Sequence, residues 1–329
     1  MLALTEITHW HWVGFILCIL FFLALDLGVF HKHAHVVKFR EALGWTAVWF
    51  SLAMAFALLL RLLRGKGEAL EFITGYLIEL SLSMDNVFVI ALIFAYFKVP
   101  AQFQHRVLFW GILGALVMRG LMIWAGVALI TALGWILYLF GLFLIYSGMK
   151  MLFVDTEVHP ENNKILKLVR RCFLVSPEFD GQKFVTQWQG KRALTPLALV
   201  LLMVETTDLI FAVDSIPAIF GVTSKSFIVF TSNVFAILGL RSLYFVLAGA
   251  IGYFRYLKVG LALVLVFVGV KMLLAPHGET HYRFQCEIPI GVSLLAVVGI
   301  IFCSIVASVI AARKERKTVA PPGSSTPAG

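Results

Sequence analysis

The sequence predicts an all-α polytopic membrane protein of about nine transmembrane helices, and three observations carry that prediction. Of its 329 residues 60% are hydrophobic and 14% charged, against about 25% charged in average soluble chains. Apolar runs long enough to span a bilayer recur from end to end, and mean hydropathy is +0.93. Basic residues collect in alternate connections between those runs.

In chain order the runs cover about 11–30, 43–63, 72–97, 107–129, 133–153, 196–220, 227–250, 256–275 and 289–311. The first has no basic leader, and Asp26-Leu-Gly stands where a signal peptide wants a small-residue cleavage site. It reads as a retained span. Lys32, Lys38 and Arg40 follow the first run, Lys98 and Arg106 the third, and Lys164 through Arg192 the fifth. Arg255 and Lys258 follow the seventh, and Arg313 through Lys317 the ninth. Arg61, Arg64 and Lys66 are a local exception, partly balanced by Glu68 and Glu71. The positive-inside bias then puts the N-terminus in the periplasm and the C-terminus in the cytoplasm. The net charge of +9 is therefore topological, which argues against a nucleic-acid surface.

Residues 1–312 read as one transmembrane domain, with a cytoplasmic loop over 155–194 and a disordered tail over 313–329. Within the loop, Ile165, Leu168, Val169, Cys172 and Phe173 follow helical spacing among Lys164, Lys167, Arg170 and Arg171. That pattern suits a short helix on an anionic leaflet. Residues 183–193 read as a hairpin turning near Gln189-Gly190. Cys18, Cys172, Cys286 and Cys303 are scattered and make neither a disulfide framework nor a C-x-x-C pair.

Two acidic clusters lie inside apolar runs: Glu79-Leu-Ser-Leu-Ser-Met-Asp85-Asn86 and Glu205-Thr-Thr-Asp208-Leu-Ile-Phe-Ala-Val-Asp214-Ser215. An ionisable group at membrane depth costs about 2.5–3.5 kcal/mol on insertion scales, so five carboxylates would cost about 12–17 kcal/mol. That matches the whole stability of an ordinary domain, and a bound cation is the simplest way to offset it.

The clusters are also duplicates. Glu79 and Asp85 are spaced like Asp208 and Asp214, with Asn86 and Ser215 next in line. Each cluster precedes a span bearing an arginine, Arg119 or Arg241, and each unit closes on a like phrase, Gly148-Met-Lys150-Met-Leu or Gly269-Val-Lys271-Met-Leu. Three-span units over about 72–153 and 196–275 would enter the membrane from opposite sides, an inverted repeat of the kind secondary transporters use.

At 100° per residue Glu79, Ser83 and Asn86 share one stripe, and Glu205, Asp208, Ala212 and Ser215 share another. Asp85 and Asp214 fall off these stripes and are expected to need an arginine partner or a broken helix, which Pro217 would supply. Thr231, Ser232 and Asn233 either approach the site or cap their helix. The donors are all oxygen, which suits Mn²⁺, Mg²⁺ or Ca²⁺ better than Zn²⁺ or Cu²⁺. The plain structural alternative pairs these acids with Arg119 and Arg241. Weaker ligand candidates are His31, His33 and His35, which sit just past the first run where polar interfacial residues are expected; the pair His277 and His281, whose i,i+4 spacing is undercut by Pro276 and Gly278; and Asp26, an accessory polar site or an interfacial residue.

The phrases Glu79-Leu-Ser-Leu-Ser-Met-Asp-Asn-Val-Phe-Val, Phe211-Ala-Val-Asp-Ser-Ile-Pro-Ala-Ile219 and Thr231-Ser-Asn-Val-Phe-Ala-Ile-Leu-Gly-Leu-Arg-Ser-Leu-Tyr-Phe245 resemble the signatures of the TerC (tellurium-resistance C) family of integral membrane proteins. The resemblance covers about residues 10–312. It implies a bacterial inner-membrane protein of the lysine-exporter superfamily, associated with manganese efflux or with metal supply to secreted enzymes. By position it points to Glu79, Asp85, Asn86, Glu205, Asp208, Asp214 and Ser215 as ion ligands, with Thr207 where serine is expected. Arg119, Arg241, Asn233 and Pro217 are left as structural or gating candidates. The expectation is Mn²⁺ export, Ca²⁺ or another hard divalent ion being the variant, with no resident cofactor and no enzymatic activity. The expected partners are the lipid bilayer, the divalent ion itself and metal-handling or secretion proteins. The alternatives are a non-transporting membrane partner and an intramembrane aspartyl protease, whose Gly-x-Gly-Asp phrase is absent here.

Overall fold

The computed structural model describes residues 9–25, 39–153, 164–248, 256–276, 286 and 288–319. Asp26, His31, His33, His35, His277, His281 and the tail from 320 lie outside the described residues. In chain order the elements are α1 (His9–Leu25), α2 (Phe39–Arg64), α3 (Lys66–Tyr96), α4 (Ala101–Ala132), α5 (Ile136–Phe153), α6 (Lys164–Cys172), β1 (Val185–Trp188), β2 (Lys191–Leu194), α7 (Pro196–Phe220), α8 (Ser226–Ala248), α9 (Leu257–Leu274) and α10 (Ile290–Val319).

Every expected apolar run coincides with a helix over its described residues. Among the described residues eight helices are long and apolar enough to cross a membrane. The ninth, α1, has 17 described residues, about 25 Å of helix, at the lower limit for a span. The chain is thus an all-α polytopic membrane protein. The short helix and the hairpin expected in the loop both form: α6 is present, and β1 pairs antiparallel with β2, Trp188 opposite Lys191 around Gln189-Gly190. Gly65, with φ 96°, separates α2 from α3 in a conformation that suits glycine.

The helices sort by burial. α8 is enclosed on nearly every side, whereas α4 and α10 turn Trp124, Leu295 and Phe302 outward, more than 60% exposed. In a bilayer such outward apolar faces meet lipid. α1, α2, α3 and α8 share a ring cluster in which Phe56 lies 5.1 Å from both Phe72 and Phe235. α3 packs on α8 and α7, α4 on α7 and α8, and α5 most extensively on α9.

The α5–α9 crossing is backbone against backbone. A methyl placed on Gly148 would stand 2.7 Å from the Ala262 carbonyl oxygen, and one on Gly269 would stand 2.7 Å from that of Gly141. Each glycine thus faces the carbonyl seven residues before its counterpart on the other helix. Small residues permit this approach in membrane helices, where packing rather than the hydrophobic effect joins neighbours.

Pro217 does not break α7, which runs on to Phe220. The proline stands four residues before the capping Gly221, so its missing N–H removes only the bond to the Val213 carbonyl. Gly221 N–H still closes on the Pro217 carbonyl at 3.0 Å. Nor do Thr231, Ser232 and Asn233 cap α8, which starts at Ser226 and buries all three.

Candidate functional site

The polar centre is built by α3, α4, α7 and α8 around the guanidinium of Arg119, itself 2% exposed. The stripe periodicity turns Glu79 and Asn86 of α3 and Asp208 and Ser215 of α7 toward it. Arg119 Nη1 donates to Glu79 Oε1, to Ser215 Oγ at 3.2 Å and to Asn233 Oδ1 at 2.9 Å. Its Nε and Nη2 grip Asp208 as a fork, at 3.4 Å to Oδ2 and 3.1 Å to Oδ1. Planar guanidinium matches a carboxylate in this way where lysine would not. Asn86 Nδ2 donates to Asp208 Oδ1 at 3.0 Å, and Asn233 anchors itself on the Val229 carbonyl at 3.0 Å.

Glu205 stands one helical turn before Asp208. Its carboxylate lies directly over Gly114 of α4, occupying the space a methyl there would need. Gly111 performs the same service one turn earlier, where Val204 crosses. Among the described residues, the buried side-chain oxygens with no hydrogen-bond donor are Glu79 Oε2, Asn86 Oδ1 and Glu205 Oε2. Each orphaned acceptor costs about 1–3 kcal/mol, more when charged. All three belong to residues expected to hold an ion.

Asp85 and Asp214 are placed apart. Asp214 accepts a hydrogen bond from Ser147 of α5 at 2.8 Å, and Asp85 has Lys258 of α9 as its cationic neighbour. Among the described residues neither reaches an arginine. The expectation that these two would take the arginines is therefore corrected. Arg119 pairs instead with Glu79 and Asp208, because the off-stripe phase of Asp85 and Asp214 turns them toward α9 and α5. Arg241 is buried on α8. No three His, Cys, Asp or Glu side chains among the described residues stand close enough to hold a metal ion, Arg119 filling the space between Glu79 and Asp208.

Sequence reasoning missed two partners of these acids. Gly114 had a signal, a small residue one turn from Gly111 on the helix that bears Arg119; Ser147 had none.

A second polar group closes one end of the bundle. Arg64 Nε donates to Glu68 Oε2 at 2.5 Å. Lys225 Nζ reaches Glu68 at 3.3 Å and Glu71 at 3.1 Å, and Thr223 Oγ1 donates to Glu71 at 2.7 Å. This ties the start of α3 to the α7–α8 turn.

Residues 64–317 match the model of the integral membrane protein TerC family. The chain belongs to the TerC family. Among TerC relatives, an "Uncharacterized membrane protein STKORF319" of Myxococcus xanthus is 52% identical over 303 residues, 92% of each chain. A protein of Escherichia coli strain K12 named "Putative membrane-bound redox modulator Alx" is 44% identical over 300 residues, 88% of this chain and 91% of its own. An uncharacterized membrane protein of Rickettsia felis is 40% identical over 300 residues, 91% and 97% of the two chains. No solved structure matches this TerC chain.

Proposed function

We propose that this protein exports a hard divalent cation, Mn²⁺ first, across the bacterial inner membrane by alternating access at the Arg119 centre. The observation that carries the reading is the set of orphaned buried oxygens on Glu79, Asn86 and Glu205. Ionised, the carboxylates of Glu79, Asp208 and Glu205 against one guanidinium leave a net charge of −2, which one divalent ion neutralises. Oxygen donors of this kind favour Mn²⁺, Mg²⁺ and Ca²⁺, and intramembrane carboxylates mark ion pathways by default.

The reading includes an inverted repeat, α3–α5 against α7–α9. The reciprocal glycine contacts at the α5–α9 crossing support it, since a two-fold axis exchanging the units carries one contact onto the other. Asp85 toward α9 and Asp214 toward α5 are exchanged by the same operation. The N-terminus would be periplasmic and the C-terminus cytoplasmic. As for the redox role in the name of the Escherichia coli relative, all four cysteines here are free thiols with no disulfide between them.

The test is ion flux in proteoliposomes holding this protein alone, compared across Mn²⁺, Mg²⁺ and Ca²⁺. Mn²⁺ flux that Glu79→Gln and Asp208→Asn abolish is expected. Wild-type protein that is folded and moves none of these ions overturns the reading and leaves a non-transporting membrane partner in its place.

A further inference from the structure

We propose that Arg119 is a built-in counter-cation, standing in for the transported ion in the empty carrier and moving to Glu205 when the ion arrives. This rests on the transporter reading above and adds how the empty site is neutralised.

Three features carry it. First, the guanidinium bonds to the oxygens an ion would need: Glu79, Asp208 and Ser215 are all expected ligands. A metal ion bridging Glu79 and Asp208 would need the space between them that the guanidinium fills, so the two cannot bridge these acids together. Secondly, the arginine has somewhere to go. Glu205 presents a buried oxygen without a donor, and its carboxylate rests on Gly114 of the very helix that bears Arg119. Glu205 stands three residues before Asp208 on α7, about 4.5 Å along the axis. For a guanidinium released by Asp208, Glu205 is the next acid along α7, one turn away. Thirdly, the charges balance with the ion bound, and without it Arg119 still covers two of the three carboxylates. With the ion held by Glu79 and Asp208, and Arg119 on Glu205, every carboxylate faces a cation. With the ion gone, Arg119 returns to Glu79 and Asp208, so the carrier resets without exposing two bare carboxylates to a low-dielectric interior.

A static clamp would make the same contacts, but the two roles separate in transport mode. Net transport requires the empty carrier to reorient across the membrane, whereas exchange of Mn²⁺ for isotopic Mn²⁺ requires only the loaded carrier to do so. In proteoliposomes holding the full chain, with Mn²⁺ as the only divalent ion, Arg119→Gln should cut net transport at least about tenfold and slow exchange by a distinctly smaller factor. Arg119→Lys, which keeps a cation with fewer donors, should recover part of the net rate. Equal slowing of both modes in Arg119→Gln overturns the inference while sparing the transporter reading. A folded wild type inactive in both modes overturns the two together. If Arg119→Gln fails to fold, Arg119→Lys decides: it must slow net transport more than exchange, and equal slowing again overturns the inference.

The role of Glu205 is read by coupling. Glu205→Gln should weaken Mn²⁺ binding in the wild-type background and have no further effect in Arg119→Gln. An equal loss in both backgrounds makes Glu205 a direct ligand and removes it as the receiver of Arg119.

Discussion

The centre around Arg119 and the end cluster around Glu71 both join two carboxylates to a cation and a hydroxyl, with Arg64 a second cation at the end and Asn86 and Asn233 added at the centre, yet they differ most in what surrounds them. At the centre Glu79 is 0% and Arg119 2% exposed; at the end the Lys225 side chain is 44% exposed. Water can replace a partner at the end but not at the centre. The lesson is that depth, rather than residue type, decides whether an ion pair is a constraint or an ornament: exposed pairs contribute about 0–1 kcal/mol, while breaking a buried one costs about 3–5 kcal/mol.

The sharpest way to break that comparison is Asp208→Ala, which deprives Arg119 of its fork and Asn86 of its acceptor. It should destabilise the detergent-solubilised protein by about 3–5 kcal/mol, read as a fall in thermal midpoint. A midpoint equal to wild type would put the centre on the same footing as the end. Glu71→Ala comes next. It removes the acceptor for Thr223 and Lys225 from a site open on one side, and about 1–2 kcal/mol is expected in the same melt. Lys225→Ala should cost no more than about 1 kcal/mol. Its difference from wild type should shrink in about 1 M salt, where charges are screened within about 3 Å, while the Asp208→Ala difference persists.

Smallest is the exposed loop carboxylate Asp180, which accepts from Thr186 Oγ1 at 2.7 Å and Lys183 Nζ at 3.1 Å. These bonds, Thr186 first, hold it below the usual carboxylate range. A lowered folded value means its support for the hairpin is complete above the ordinary carboxylate pKa and fades as pH falls through the folded one. Amide exchange in β1 and β2 should accelerate on acidification in wild type, and Asp180→Asn should abolish that acid dependence.

Most of the fold was legible because nine apolar runs and alternating basic loops are one-dimensional signals, and each run meets a helix over its described residues. The acid stripes were legible for the same reason, since 100° per residue fixes which side chains on one helix share a face. What spacing cannot supply is the rotation of one helix against another. That is why Asp85 and Asp214 seemed the natural arginine partners, and why Arg119 instead meets Glu79 and Asp208. Pro217 misled in a simpler way, because its distance from the helix end, rather than its presence, decides whether the ladder breaks. The end cluster was half visible: Glu68 and Glu71 balance Arg64 on paper, but Lys225 joins them only through the turn between α7 and α8.

Gly114 has a use that none of the charged residues offers. At Gly148 and Gly269 the obstructing atom is a main-chain carbonyl, so any added bulk there forces whole helices apart. At Gly114 it is the tip of a movable side chain on α7. One added methyl on α4 would therefore act as a steric dial on an electrostatic quantity, relocating a carboxylate while leaving the inventory of ionisable groups untouched. Gly114→Ala beside Glu205→Gln in one flux assay separates where that charge sits from whether it is there.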